Sequence, residues 1–341
     1  MTRQLTILLL ALLLAGLVTL ATGLGYIHIP VAQVIEIATA KVTGMPLADS
    51  VDSRFPVIVS DIRLPRIIAA TLVGGGLAVA GAVFQAILLN PLADPYTLGV
   101  SSGAAFGASL AIVLSLFGIA LPTVWTVPVF AFTFAIATLI VVFALSSADN
   151  RFSSNTLILA GVIVAAILSA GIGFIKYMAD EEVSIIIFWL MGSLVGKTWQ
   201  EVLLVLAISL PCLLTIFYFA RDLNIMALGE KTADSLGVES VKIRKLLLAA
   251  ATLITAGCVA VSGIIGFIGL IVPHLLRLVI GADNRFLLPA SFLAGALLLL
   301  AADTVTRALL PHEIPIGVLT ALIGGPFFCY IFRTRQLGRR R

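Results

Sequence analysis

The amino-acid sequence predicts an all-α integral membrane protein with about ten transmembrane helices. Of its 341 residues, 60% are hydrophobic and only 11% are charged, whereas a soluble domain has about 25% charged residues. Uncharged runs recur along the chain, and many reach the length of about 20 residues that a membrane span requires. In lipid the backbone must satisfy its own hydrogen bonds, so runs of this length must be helices. They are too long and too continuously apolar for barrel strands.

Charged residues mark the limits of the first four spans. The run Leu5–Gly25 predicts the first span; it has no clear small-residue cleavage site, so we interpret it as an uncleaved span and not as a signal peptide. Ile67–Ala93 predicts the second. The run Pro95–Ala148 is long enough for two spans, broken near Pro122.

The rest of the chain predicts six more spans. Leu246–Leu276 is too short for two full spans and long for one, so it predicts one full span and one short span, broken near Ser262–Gly263. Val183–Gly196 is apolar but too short to cross, which indicates a re-entrant or interfacial helix. Four further runs predict one span each: Phe152–Ile175, Val202–Ala220, Phe286–Ala302 and Ile314–Phe332.

The distribution of basic residues predicts the topology. An even number of spans places both termini on one side, and that side then has two thirds of the 21 lysines and arginines. The positive-inside rule therefore predicts that both termini are cytoplasmic. Because the basic residues cluster near span ends, the net charge of +4 reflects topology and predicts no nucleic-acid partner.

Two small-residue patterns indicate how the helices pack. The second span has small residues four apart at Ala70, Gly74, Ala78 and Ala82, which form a flat face for another helix. The segment Ala78–Gly81 of this span is similar in sequence to Ala260–Gly263, and a proline follows ten residues after the glycine of each segment. The two similar segments are offset by five spans, an odd number, so they point in opposite directions, as in the inverted repeats of transporters. Chance similarity between Ala/Gly-rich helices is the alternative.

One segment resembles a nucleotide-binding loop without meeting its requirements. Met191–Thr198 ends in Gly-Lys-Thr, but methionine stands where the motif needs its first glycine, and no soluble strand precedes it. If ATP drives this protein, a partner must therefore hydrolyse it. The cysteines Cys212, Cys258 and Cys329 lie far apart in apolar runs and show no metal-ligand or disulfide spacing.

The longest cytoplasmic loop, residues 221–245, is the candidate docking segment for such a partner. Within it, Ile225–Val238 predicts a short amphipathic helix ended by Gly237. An exposed helix with Leu and Met on one face and Glu, Lys and Asp on the other suits a groove on another protein. A plain connector is the alternative.

Three arginines lie at span ends on the opposite side: Arg63, Arg66 and Arg307. They are either snorkelling anchors or a docking site for acidic groups, since arginine is the preferred partner of carboxylates. Asp303 precedes Arg307 by four residues, the favourable order for a helical ion pair. We expect these arginines to be exposed.

The cargo is predicted from the polar residues of the spans. A path for bare metal ions or protons should show intramembrane carboxylates or ladders of His or Met, but the three His and five Met are scattered. The cargo is therefore predicted to be large and already chelated. An ion-coupled secondary transporter of a small organic solute would need a midplane carboxylate or cation site, and an intramembrane enzyme would need clustered His, Asp or Cys. The sequence shows neither, and no cofactor is expected.

Several blocks of the sequence resemble the FecCD-type permeases of bacterial ABC importers for iron-siderophores, haem and cobalamin. The resembling blocks cover nearly all of the chain; only the first span and Ile27–Asp61 match weakly. They are Arg63–Gly107, Leu157–Val162, Phe188–Leu194, Ala227–Val238, Gly266–Leu278, Leu297–Arg307 and Glu313–Phe328.

The resemblance implies a type II ABC importer permease fold with an inverted internal repeat, formed as one transmembrane domain over residues 1–341 in the cell (inner) membrane. It implies a homodimer, two cytosolic ABC ATPase subunits that hydrolyse ATP, and a periplasmic or lipid-anchored substrate-binding protein. It assigns docking of the binding protein to Arg63, Arg66 and Arg307, and an inner gate to Ser154 and Asn155. The residues that it assigns to ATPase coupling are Ala227, Leu228, Gly229, Glu230, Ala233, Leu236 and Gly237.

Overall fold

The computed structural model describes residues 2–44, 46–47, 51–119, 123–147, 149, 152–309 and 312–338, which fold into fifteen α-helices. In chain order these are α1 Arg3–Gly23, α2 Val31–Thr43, α3 Phe55–Val57, α4 Leu64–Ile87, α5 Val100–Leu116, α6 Thr123–Ser146, α7 Ser154–Ala179, α8 Val183–Leu190, α9 Trp199–Tyr218, α10 Ala220–Met226, α11 Glu230–Ser235, α12 Ser240–Ser262, α13 Ile268–Ile280, α14 Asn284–Leu309 and α15 Ile316–Gly338. A π-helical stretch, Ile58–Arg63, joins α3 to α4.

The helices confirm the predicted set of about ten spans. Seven are long and apolar enough to cross a membrane, and the shorter apolar helices α5, α13 and α15 bring the total in the described part of the chain to ten. The predicted break near Ser262–Gly263 is also confirmed, because α12 ends at Ser262 and Gly263 has a φ of +68°. Pro122, the other predicted break, lies outside the described residues.

Helix α4 is the centre of the bundle and is buried along nearly its whole length. Its small-residue face packs against α14, where a methyl group added at Gly74 would overlap the Gly295 carbonyl oxygen and one added at Gly295 would overlap that of Gly74. Further along, a methyl group at Gly81 would overlap the Gly269 carbonyl oxygen of α13. Glycine at these crossings lets the backbones approach closely. The predicted spacing includes Gly74 at the α14 crossing but not Gly81 at the α13 crossing.

The buried side chain of Gln85 in α4 replaces a helical hydrogen bond that a proline removes from α13. Pro273 lies inside α13 and has no N–H, so the Gly269 carbonyl four residues earlier loses its helical donor. Gln85 Nε2 lies 3.3 Å from that oxygen and 3.2 Å from the Leu270 oxygen. Gln85 Oε1 accepts from Nη1 of Arg277. The side chain of Gln85 therefore fixes the kinked helix to the centre of the bundle.

The stretch between α4 and α5 enters the bundle. Its Tyr96 hydroxyl donates to the Ile265 carbonyl oxygen over 2.8 Å, in the unwound stretch between α12 and α13. Asp94 stabilises the turn, because its Oδ1 accepts from Tyr96 N–H and from the Thr97 hydroxyl. The sequence prediction missed this carboxylate, and these bonds account for it as a turn cap.

The arrangement of α4 and α12 fits the inverted repeat. Gly76 packs against Ile254 and Cys258, and Cys258 Sγ lies 4.0 Å from the Val73 oxygen, so the two helices run antiparallel. Each is followed by an interrupted stretch and then by a short helix, α5 or α13. The two interruptions meet inside the bundle, where the Tyr96 hydroxyl donates to the Ile265 carbonyl oxygen.

The segment that resembles a nucleotide-binding loop forms a turn and a helix cap. It follows α8, the predicted short helix, which packs against α5 and α7. Thr198 and Glu201 form a capping box at the start of α9. Lys197 Nζ lies 3.0 Å from Glu201 Oε1 and 2.6 Å from the Val261 oxygen. These contacts give Lys197 and Thr198 a structural role.

Candidate functional site

Polar contacts collect at the two ends of the bundle. We call one end the coupling face; it contains Arg3, the segment 220–239 and the start of α14. We call the opposite end the arginine face; it contains Arg63, Arg66 and Arg307. The partition agrees with the sides to which the sequence analysis assigned these residues.

The coupling segment, residues 220–239, forms two short helices. The prediction of one helix over Ile225–Val238 is wrong, because the chain leaves helical geometry after α10 and Gly229 has a φ of +105° before α11 starts at Glu230. A left-handed or more extended positive φ is costly for residues other than glycine. The predicted end is confirmed, since Gly237 has a φ of +84° just after α11.

The predicted coupling residues divide into an anchor and an exposed surface. Ala233 of α11 is fully buried, which fixes the short helix to the bundle. Leu228 is 66% exposed and Leu236 is 60% exposed, on either side of α11. The remaining predicted coupling residues, Ala227, Gly229, Glu230 and Gly237, are exposed or half-buried. Leu228 and Leu236 thus present exposed apolar side chains on either side of a buried anchor.

A polar cluster that the sequence analysis missed fastens α10 to the start of α14. Asn224 Nδ2 donates to Asp283 Oδ1 over 2.8 Å, and Asn224 Oδ1 accepts from the backbone and side-chain amides of Asn284. Arg285 Nη2 lies 2.7 Å from Asp283 Oδ2, and Arg3 Nη1 lies 3.3 Å from the same oxygen. The side-chain hydrogen bond from Arg285 lowers the pKa of Asp283 below its ordinary value. Only the Asp-x-Arg spacing at 283–285 could have indicated this cluster.

The predicted gate residues Ser154 and Asn155 lie in the first turn of α7, where Ser154 is half-buried and Asn155 is exposed. The turn is fixed by its neighbours: Ser153 Oγ accepts from Thr156 N–H as the N-cap of α7. Asp149 Oδ2 accepts from Ser153 N–H over 2.9 Å and from the Thr156 hydroxyl over 3.0 Å. The chain thus holds the start of α7 in a defined conformation.

On the arginine face, two arginines bind the end of α1. Arg63 Nη1 donates to the Thr22 oxygen over 2.6 Å, and its Nη2 donates to the Ile27 oxygen. Arg307 Nη2 donates to the Ala21 oxygen over 2.7 Å. The last carbonyls of a helix have no intrahelical donor, and cations there also interact favourably with the helix dipole. Both arginines therefore stabilise the end of α1.

Arg66 is paired within its own chain. Its Nη2 lies 2.8 Å from Asp303 Oδ1 and 2.8 Å from Glu313 Oε2. The expectation that these arginines are exposed is wrong for Arg63 and Arg66, which are 5% and 8% exposed. Asp303 pairs with Arg66, and Arg307 instead donates to the backbone of α1. The predicted ion pair between Asp303 and Arg307 is therefore wrong. Glu313, whose side chain is 38% exposed, is the accessible acid of this group.

Comparison with known proteins places this architecture in a family. A family model described as the FecCD transport family matches residues 9–334. The cobalamin import system permease protein BtuC of Halobacterium salinarum is 42% identical over 86% of this chain and 78% of its own length. The hemin transport system permease protein HmuU of Yersinia pestis is 43% identical over 81% of this chain and 83% of its own length.

A solved structure gives the same answer for the fold. An inward-facing metal-chelate type ABC transporter is 35% identical and superimposes with a TM-score of 0.83, covering 96% of this chain and 98% of that chain. The multi-pass bundle described above is thus the type II ABC importer permease fold, and the family's ATP hydrolysis takes place on a separate subunit. The chain belongs to the FecCD transport family and is the membrane-embedded permease subunit of an ABC importer.

Proposed function

We propose that this permease imports a metal chelate into the cytoplasm, with an iron-siderophore complex as the first candidate cargo and haem or cobalamin as the next. In this proposal two copies form the path as a homodimer in the cell (inner) membrane, with both termini cytoplasmic. Two ABC ATPase subunits bind the coupling face, and a periplasmic or lipid-anchored binding protein delivers the cargo to the arginine face. The relatives named for cobalamin and hemin import support the cargo class.

The observation that carries the assignment of ATPase coupling is the exposure of two leucine side chains, Leu228 and Leu236, on the coupling segment. Apolar side chains on an exposed helix fit a groove on a partner, and Ala233 and Asn224 fasten the segment so that a force on it reaches the bundle. The gate at Ser154 and Asn155 lies on the same face. We therefore assign ATPase coupling to this segment and inner gating to the start of α7.

The function is tested by ATP-driven uptake. The permease, reconstituted in proteoliposomes with its ATPase and binding protein, is expected to accumulate a labelled ferric siderophore only when ATP is present on the ATPase side. Hemin and cyanocobalamin are assayed in parallel and identify the cargo. Uptake of a small organic solute driven by an ion gradient, with no effect of ATP, would show instead that the chain is a secondary transporter.

The coupling surface is tested by replacing its leucines. A Leu228→Glu/Leu236→Glu double variant is expected to lose at least tenfold in affinity for the ATPase, about 1.4 kcal/mol, because it places two charges in an apolar contact. Val195→Glu is the matched control, since Val195 is 54% exposed but lies on the arginine face. Equal loss in both variants, or in neither, would place the ATPase elsewhere.

A further inference from the structure

Helix α11 and the gate are joined by one buried side chain, that of Arg244 near the start of α12. Its Nη2 lies 3.5 Å from Oε2 of Glu230, the first residue of α11. The side chains of Arg244 and Glu230 are 9% and 21% exposed, so water screens this ion pair little. The contact links the coupling segment to α12 through opposite charges.

The other end of the same guanidinium reaches Phe152, two residues before the gate. Arg244 Nη1 donates to the Phe152 carbonyl oxygen over 3.0 Å. A planar guanidinium presents its donors in a fixed fork, so it holds its two partners at a set separation. Movement of Glu230 relative to α12 must therefore disturb either the ion pair or the bond to Phe152.

Phe152 is held in a conformation that it would not adopt alone. Its φ is +50°, in the left-handed region that bulky residues rarely occupy. Lys245 Nζ lies 3.8 Å from the centre of its ring, and Phe143 packs edge-on at 5.9 Å. Such conformations persist where the surroundings enforce them, and they occur often in switch regions. Loss of the Arg244 bond removes one of these restraints.

We propose that Arg244 is a positioning residue that transmits displacement of α11 to the inner gate. The inference rests on the proposed function, since it takes α11 as the ATPase contact and the start of α7 as the gate. Movement of Glu230 shifts the guanidinium, the Phe152 carbonyl follows or is released, and the capped turn that contains Ser154 and Asn155 reorients with it. The sequence gives no indication of this link, because its residues are separated by 92 positions along the chain.

The test compares Arg244→Gln with Arg54→Gln in the reconstituted importer. Glutamine at 244 lacks the charge that attracts Glu230, and its amide ends two atoms short of the Arg244 Nη atoms, so it cannot join the two partners. Arg54 is a matched control because it also pairs with a carboxylate, Asp52, but is exposed on the arginine face. We expect Arg244→Gln to bind the ATPase with unchanged affinity and to hydrolyse ATP, while cargo transported per ATP falls at least tenfold. Arg54→Gln keeps the wild-type ratio, and Arg244→Lys recovers part of it.

A second measurement covers the case in which Arg244→Gln does not fold. Spin labels at Leu159→Cys, one turn beyond the gate on α7, and at Lys231→Cys on α11 report the distance between the start of α7 and α11. Both positions are exposed and lie outside the predicted gate and coupling residues, and the exposed Cys329 is replaced by serine. We expect this distance to change on ATP binding in the assembled importer. No change, or a wild-type transport ratio in a folded Arg244→Gln variant, overturns the role of Arg244. Failure of the wild-type complex to import any chelate would instead refute the proposed function.

Discussion

Nη2 of Arg66 lies 2.8 Å from Oδ1 of Asp303, in a bridge between side chains that are 10% and 1% exposed. The bridge joins the start of α4 to the far end of α14, which are 237 positions apart in the chain. A buried pair of this kind gains little over an apolar pair, but the loss of one partner leaves the other charge uncompensated.

Arg66→Ala is therefore expected to destabilise the permease by about 3–5 kcal/mol. The measurement is the denaturation midpoint in detergent or lipid, with Arg54→Ala as the comparison because the Arg54–Asp52 pair is exposed. We expect no shift in that control. A similar midpoint for both variants would show that Asp303 finds another partner or takes up a proton at little cost.

The docking role proposed for the arginines needs a variant that leaves the fold intact. A triple Arg→Glu change is unsuitable, because it would place a carboxylate beside the buried Asp303. Glu313→Gln removes a negative charge next to Arg66 while Arg66 keeps Asp303. If an acidic binding protein docks here, its association should become faster and more salt-dependent.

The expected gain in association rate at low salt is up to about fivefold, because exposed charges contribute 1 kcal/mol or less. Glu182→Gln is the control, since it removes an equal charge at an exposed position near the far end of α7. Stopped-flow binding to permease in lipid discs gives the rates across a salt series. Unchanged rates for Glu313→Gln would leave the arginines with their structural role alone.

The helix crossings predict a sharp difference between glycines. A methyl group at Gly81 would overlap the Gly269 carbonyl oxygen, which is backbone and cannot rotate away. Gly81→Ala should therefore separate α4 from α13 and lower the yield of folded protein. At Gly173 of α7 an added methyl meets nothing within 4 Å, so Gly173→Ala should raise helix stability by up to about 1 kcal/mol. Thermal unfolding and size-exclusion profiles distinguish the two, and equal behaviour would contradict the crossing.

The hydrogen bonds that Gln85 donates to the kinked helix α13 give a further prediction. Gln85→Leu removes the donor to Gly269 and Leu270 and the acceptor for Arg277. Each buried polar group left without a partner costs about 1–3 kcal/mol, so the variant should unfold at clearly lower denaturant. Gln200→Leu, at an exposed position of α9, should unfold as the wild type does. The same midpoint for Gln85→Leu would mean that water replaces the glutamine.

The sequence predicted what depends on local composition. Uncharged runs gave the ten spans, the Ser262–Gly263 break followed from the length of one run, and the Ala70–Ala82 spacing gave the packed face of α4. It did not predict contacts between distant positions. Nothing near Arg66 indicates Asp303 or Glu313 as its partners, so its exposure was misjudged. The sequence also did not predict that the coupling segment divides into α10 and α11 at Gly229. The apolar residues on both sides of Gly229 keep a helical spacing, although the glycine itself has a positive φ.

Helix α14 is attached at both ends. Near its start, Asn284 binds Asn224 of the coupling segment; near its other end, Asp303 binds Arg66 on the arginine face. These two residues are separated by roughly 28 Å along the axis, at 1.5 Å per residue. Insertion of one residue between them would turn one end by about 100° relative to the other, so only one attachment could form. Helix α14 is thus a spacer of fixed length and phase, and its register sets how the two faces of the permease are aligned.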